Sequence, residues 1–123
     1  MITGIFDFNY NVSHMERAVH FYHDALGMKI ERRGENWTTL GCDGIHVGLH
    51  WTGGDKVKTV PADEHGAMAG GTLTLKSSDI AADRSLLEGM GAAIVNEREE
   101  AWGDLLTFED PDGNVLQLMH PKH

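Results

Sequence analysis

Asp7, Asn9 and Asn11 alternate with Phe6, Phe8, Tyr10 and Val12 in the stretch FDFNYNV. Side chains alternate across a strand, so one face of this segment is apolar and the other presents a carboxylate and two amides. Such a row on a covered face needs partners, because unpaired burial costs about 1–3 kcal/mol per group. A polar ligand or cavity water would supply them. Asp7 is the only acid of the row, a candidate general base or counter-charge to a cationic ligand. His46 and His50 in IHVGLHW share one side of a strand with Gly48. They are about 13 Å apart at a rise of ~3.3 Å per residue, too far for one ion. His50, near the strand end, is the one to join Asp7. Trp37, Trp51 and Trp102 fall at strand ends or loops, where an indole can stack on a flat ligand or attract a cation. Gln117, a neutral oxygen donor, and Thr72 complete the polar candidates. His20 and His23 lie off the apolar face of a helix and read as solvated. His120 and His123 read as tail residues, and His65 sits in a loop that could cover a cavity.

The elements that must position these groups are legible from pattern. Ser13 to Glu16, SHME, has the form of a capping box, and Met15, Ala18, Val19, Tyr22, Ala25 and Leu26 follow at helical spacing until Gly27. MKIERR, NWTTLGC and IHVGLHW read as three strands. Residues 52–66 hold turn formers without apolar period and form the one linker candidate. The pattern then restarts with the strand GTLTLKS, a helix capped by Asp79 and stopped around Gly89 and Gly91, and the strands AAIVNE, LLTFED and NVLQLMH. DPDG makes the turn before the last. Each half is strand, helix and three strands, which predicts an α+β chain of two βαβββ modules, about 4–51 and 67–120. The curved mixed sheet would enclose a cavity lined by Asp7, Asn9 and Asn11, with Phe6, Phe8 and Tyr10 under the helices.

At 123 residues the chain can bury a real core. Its formal charge of −9 argues against nucleic acid and anionic membranes as partners. Cys42 is the single cysteine, which excludes an internal disulfide and a cysteine zinc site. The start carries no signal-peptide pattern and no apolar run reaches membrane-spanning length, so a cytoplasmic location is expected. There is no phosphate loop, G-x-S-x-G elbow or H-E-x-x-H.

The helix VSHMERAVHFYHDALGMKI and the ending FEDPDGNVLQLMHP resemble the vicinal oxygen chelate superfamily, which includes glyoxalases, extradiol dioxygenases and fosfomycin- and bleomycin-resistance proteins. The resemblance covers nearly the whole chain. It implies paired βαβββ modules, usually a homodimer, and in the metal enzymes His, Glu or Gln ligands on the first and last strand of each module. Carried onto this sequence, those positions fall on Asp7, near Gly48, on Gly70 or Gly71, and on Gln117. Glycine offers no side-chain donor. The expectation is therefore a metal-independent small-molecule binding protein without cofactor. Asp7, Asn9, Asn11, His50, Trp51, Thr72, Trp102 and Gln117 would contact a polar or cationic ligand. The alternative is a glyoxalase-like lyase or isomerase using a divalent metal ion on Asp7, His50 and Gln117.

Overall fold

The computed structural model describes residues 1–63 and 70–122, so His65 and His123 lie outside the described residues. Two compact units divide the chain, Met1–Val57 and Lys58–His123. The first runs β1 (Phe8–Val12), α1 (Met15–His20), β2 (Lys29–Arg32), β3 (Trp37–Cys42) and β4 (Ile45–Trp51). The second runs β5 (Leu73–Lys76), α2 (Ile80–Gly89), β6 (Ala93–Glu100), β7 (Gly103–Glu109) and β8 (Val115–Pro121). Each unit is thus βαβββ, and each carries a four-stranded mixed sheet, ordered β1-β4-β3-β2 and β5-β8-β7-β6. The first and last strands of a unit pair in parallel, and the others are antiparallel. A parallel pair needs a long crossover, which the helix and two hairpin strands provide. Among the described residues no helix is long and apolar enough to cross a membrane.

In the first unit the apolar face of the sheet presents Tyr10, Val12, Leu40, Val47 and Leu49, and the helix contributes Ala18, Val19, Phe21 and Tyr22; all are buried. Each large side chain so removed from water contributes roughly 1.5–3 kcal/mol. Phe6 differs from expectation. It precedes the sheet, whose register opens at Phe8 opposite Val47, and it is 87% exposed. The helix cap is also displaced by one residue. His14 is the N-cap and its Nδ1 accepts from Arg17 N at 3.4 Å, while Ala18 N bonds to His14 O at 3.0 Å. Ser13 is held at the strand end instead, its carbonyl accepting from Trp51 Nε1 at 3.1 Å. Glu16 turns to Arg33, 3.6 Å away. α1 continues into a π-helical turn, Phe21–Ala25, and Gly27 at φ +73° stops it, a conformation that glycine adopts without strain. His20 pairs with Asp24, and His23 Nδ1–H donates to Met28 O at 2.6 Å.

In the second unit Asp79 caps α2 as its sequence implies, Oδ1 accepting from Ala82 N at 3.0 Å. The turn before β8 is organised by buried Asp110. Its Oδ1 accepts from the backbone N–H of Asp112 and Asn114, both at 2.9 Å, and its Oδ2 from Asn114 Nδ2 at 3.0 Å. His120 is no tail residue. It lies in β8 opposite Asp104, and its Nδ1–H donates to Ser77 O at 2.8 Å.

Both units break register at one matching place. β2 pairs Ile30 with Leu40 and then Arg32 with Thr39; β6 pairs Ile94 with Phe108 and then Asn96 with Thr107. One extra residue stands in each edge strand, a β-bulge. Counted from these bulges, Thr39 matches Thr107, Gly48 matches Gln117 and Asn9 matches Thr74. The counterpart of Asp7, two residues before Asn9, is then Thr72 and not Gly70 or Gly71.

Candidate ligand-binding site

Strand register assembles the polar face of the first sheet in rows. Asn9, Gly48, Thr39 and Arg32 lie side by side across β1, β4, β3 and β2. One row toward the strand end are Asn11, His50 and Trp37. On the other side are His46 and Gly41, and continuing the β1–β4 register by one residue sets Asp7 beside His46. His50 therefore stands two rows from Asp7, about 13 Å along the strand. The expected partnership of Asp7 with His50 is not made, and His46 takes that place.

Hydrogen bonds fix most of these side chains. Asn9 Nδ2 donates to Asp7 Oδ1 at 3.1 Å. His50 Nδ1–H donates to Asn11 Oδ1 at 3.0 Å. Trp37 Nε1 donates to Thr39 Oγ1 at 3.1 Å, which lays the indole over Gly48. A Cβ at Gly48 would collide with three indole carbons, two of them at 2.7 and 2.9 Å. The glycine at the resemblance-implied ligand position is thus a hollow filled by tryptophan. Trp37 is still 37% exposed, so part of its ring is open to a ligand.

A cavity of about 540 Å³ lies against this face, lined by Phe6, Asp7, Arg32, Trp37, Thr39 and His46 among others. A second, of about 730 Å³, lies past the ends of β1 and β4, beside Ser13, His14, Glu16, Arg33, Glu35 and Trp51. There the Trp51 N–H is engaged by Ser13 O and Glu16 by Arg33, whereas the smaller cavity has a strand-borne floor that presents Asp7, Arg32, Trp37 and His46. Of the residues named from sequence, Asp7, Trp37 and His46 reach the smaller cavity and Trp51 the larger. Asn9, Asn11 and His50 stand on the same sheet face as Asp7.

Gln117, Thr72 and Trp102 belong to the second unit. Gln117 is spanned by its neighbours: Thr74 Oγ1 donates to its Oε1 at 3.2 Å, and its Nε2 donates to Thr107 Oγ1 at 3.1 Å. Thr72 directly precedes β5, and Trp102 sits exposed in the turn between β6 and β7. Among the described residues no three His, Cys, Asp or Glu side chains are gathered so as to hold a metal ion. The donor set Asp7, His50 and Gln117 does not fit such an ion, since Asp7 and His50 are two rows apart and an indole fills the β4 position.

Sequence reasoning passed over Glu31, Arg32 and Gly41. The bulge turns both Glu31 and Arg32 onto the polar face, and strict alternation in KIER gives no sign of it. The acidic carboxylate of Glu31 reaches His46 Nδ1 at 2.8 Å.

The model of the Glyoxalase/Bleomycin resistance protein/Dioxygenase superfamily matches residues 4–118. TnmS3, an antibiotic binding protein from a Streptomyces species, is 30% identical, with 98% of each chain covered and a TM-score of 0.66. The fosfomycin resistance protein FosX from Listeria monocytogenes is 13% identical over 99% of this chain and 96% of that one, with a TM-score of 0.76. Lactoylglutathione lyase from Agrobacterium tumefaciens is 16% identical over 97% and 94%, with a TM-score of 0.69. The last two share the fold. With the family match spanning nearly the whole sequence and the same βαβββ pairing in both units, the chain belongs to the glyoxalase/bleomycin resistance protein/dioxygenase superfamily.

Proposed function

We propose that this protein is a metal-independent small-molecule binding protein that takes a flat, polar or cationic ligand on the polar face of its first sheet. The observation that carries the reading is the Trp37 indole seated in the Gly48 hollow. It closes the β4 position to a metal-binding side chain and offers an aromatic surface in the same cavity as Asp7. A ring stacked there gains dispersion and quadrupole attraction, and a cationic or donating group on it meets Asp7. An acceptor group meets Arg32. The antibiotic-binding relative at 30% identity supports the same class of role.

The test is calorimetric titration with a panel of cationic aromatic compounds and flat neutral antibiotics. Asp7→Asn keeps the shape and removes the charge, and it should weaken a cationic binder by about 1.5–3 kcal/mol. Trp37→Ala should weaken every flat binder. Equal affinity in both variants and wild type would refute the site. Stoichiometric metal in protein purified without chelator, lost on Asp7→Ala, would refute metal independence.

We also propose a cytoplasmic homodimer. The edge strands β2 and β6 carry charged KIER and NEREE, which discourage pairing, whereas β1 and β5 edge their sheets with few charges. Ile2, Ile5 and Phe6 beside β1 are exposed.

A further inference from the structure

We propose that Glu31 and His46 form a proton-transfer dyad, with His46 Nε2 as a general base acting on an acidic C–H of a flat carbonyl compound. The proposal rests on the reading that such a compound occupies the Trp37 cavity. Three features of the chain converge on the pair. The bulge after Ile30 brings Glu31 to the polar face. Gly41, opposite His46, has no side chain, and a Cβ there would meet Glu31 Oε1, with Cδ at 3.0 Å. The carboxylate therefore crosses the glycine to reach His46 Nδ1 at 2.8 Å. A carboxylate only accepts, so Nδ1 carries the hydrogen and, in the neutral ring, Nε2 carries the lone pair. His46 lines the cavity together with Asp7, Arg32 and Trp37. A base oriented by a third group behind it is the arrangement that general-base catalysis uses.

The step needs no co-reactant. The C–H bond breaks and its proton passes to Nε2. Its electron pair becomes an enolate on the carbonyl oxygen, toward which Arg32 supplies positive charge. Glu31 stabilises the imidazolium. Return of the proton from Nε2 to the oxygen or to a second carbon restores neutral His46 and completes an isomerisation. Asp7 just before β1, Glu31 and Arg32 from β2, and Lys29 opposite Gly41 are the charged groups around the imidazole.

The probe is 5-nitrobenzisoxazole, a flat ring whose C–H loss to a base opens the N–O bond and releases a coloured phenolate. Wild-type protein should open it about 100-fold faster than free imidazole at equal concentration, and His46→Gln should remove that advantage. Glu31→Gln should lower kcat for ring opening about 10-fold and leave KM unchanged, because the imidazole is no longer held with its lone pair on Nε2. A merely structural role for Glu31 would raise KM by loosening the cavity as well as lowering kcat. His20→Gln, on the outer side of α1, should match wild type. A rate no better than imidazole, or one unchanged in His46→Gln, overturns the dyad. Binding of the unreactive isostere 5-nitroindazole, measured on wild type and Trp37→Ala, separates the two readings. Trp37-dependent binding without ring opening defeats the base alone, and absence of both defeats the cavity as well.

Discussion

Gly48→Ala tests the central geometric claim with a single methyl group. In the wild-type fold the new Cβ enters the space of the Trp37 indole, with ring carbons inside 3 Å. Inserting a methyl into packed space costs about 1–3 kcal/mol. Alanine in a strand interior recovers about 0.5–1 kcal/mol relative to glycine, through the unfolded chain. The net loss should be about 0–2.5 kcal/mol, centred near 1 kcal/mol. The indole can also escape by swinging outward, since it is 37% exposed, but it then forfeits its bond to Thr39. That bond is worth about 0.5–1.5 kcal/mol, and the apolar contact of the ring with the sheet is lost with it, so escape brings its own loss. In a Trp37→Ala background the obstacle is gone, and the same Gly48→Ala change should stabilise by about 0.5–1 kcal/mol. The sign therefore reverses, and the coupling in a double-mutant cycle should reach about 1–3 kcal/mol, as for residues in direct contact. Urea unfolding followed by far-ultraviolet circular dichroism gives the four stabilities without relying on tryptophan emission. An effect of equal sign and size in both backgrounds would mean that the indole does not occupy the hollow.

Asp110→Ala leaves three donors of the β7–β8 turn without their carboxylate, and should cost about 2–3 kcal/mol in urea unfolding while sparing ligand binding on the first unit. The Lys122 ammonium is held above the ordinary lysine value of 10.5, chiefly by its hydrogen bond to Glu99, against a partial loss of hydration. Its folded pKa is raised, so its contribution is full below 10.5 and fades as pH climbs through the folded value. The small difference in urea midpoint between wild type and Lys122→Met should accordingly close at strongly alkaline pH. Light scattering at micromolar concentration should give the mass of two chains, and a clean monomer would refute the dimer.

The order of elements was readable because the two periods are strong: IHVGLHW and NVLQLMH alternate, and Ala18, Val19 and Tyr22 recur at helical spacing. The polar row Asp7, Asn9, Asn11 was readable for the same reason. Cross-strand register was not. It decided that His46 and not His50 shares the row of Asp7, and that Thr72 is the counterpart of Asp7. The bulges after Ile30 and Ile94 add a residue to each edge strand with no glycine or proline to announce them. The helix cap moved from Ser13 to His14 because a tertiary contact, Trp51 with the Ser13 carbonyl, outcompeted a local motif. Phe6 followed the alternation of β1 by type, but it lies before the first paired residue and nothing covers it.

The matched bulges give the two units a common frame, and within it they have diverged in what fills the middle row. In the second unit that row is Thr74, Gln117, Thr107 and Asn96, and the Gln117 amide bridges both neighbours. Thr74, Gln117 and Thr107 are thereby tied to one another. In the first unit the same positions are Asn9, Gly48, Thr39 and Arg32. The glycine cannot bridge, so Asn9 turns to Asp7, Thr39 turns to Trp37, and the indole covers the gap. Replacing an amide by glycine thus does two things at once. It removes the donor that would tie the sheet face together, and it admits a flat aromatic group in its place. The first unit is left with a stacking surface and charged rims of both signs, Asp7 and Arg32, around one cavity. The proposed binding site is accordingly set on the first sheet, although both sheets follow one pattern.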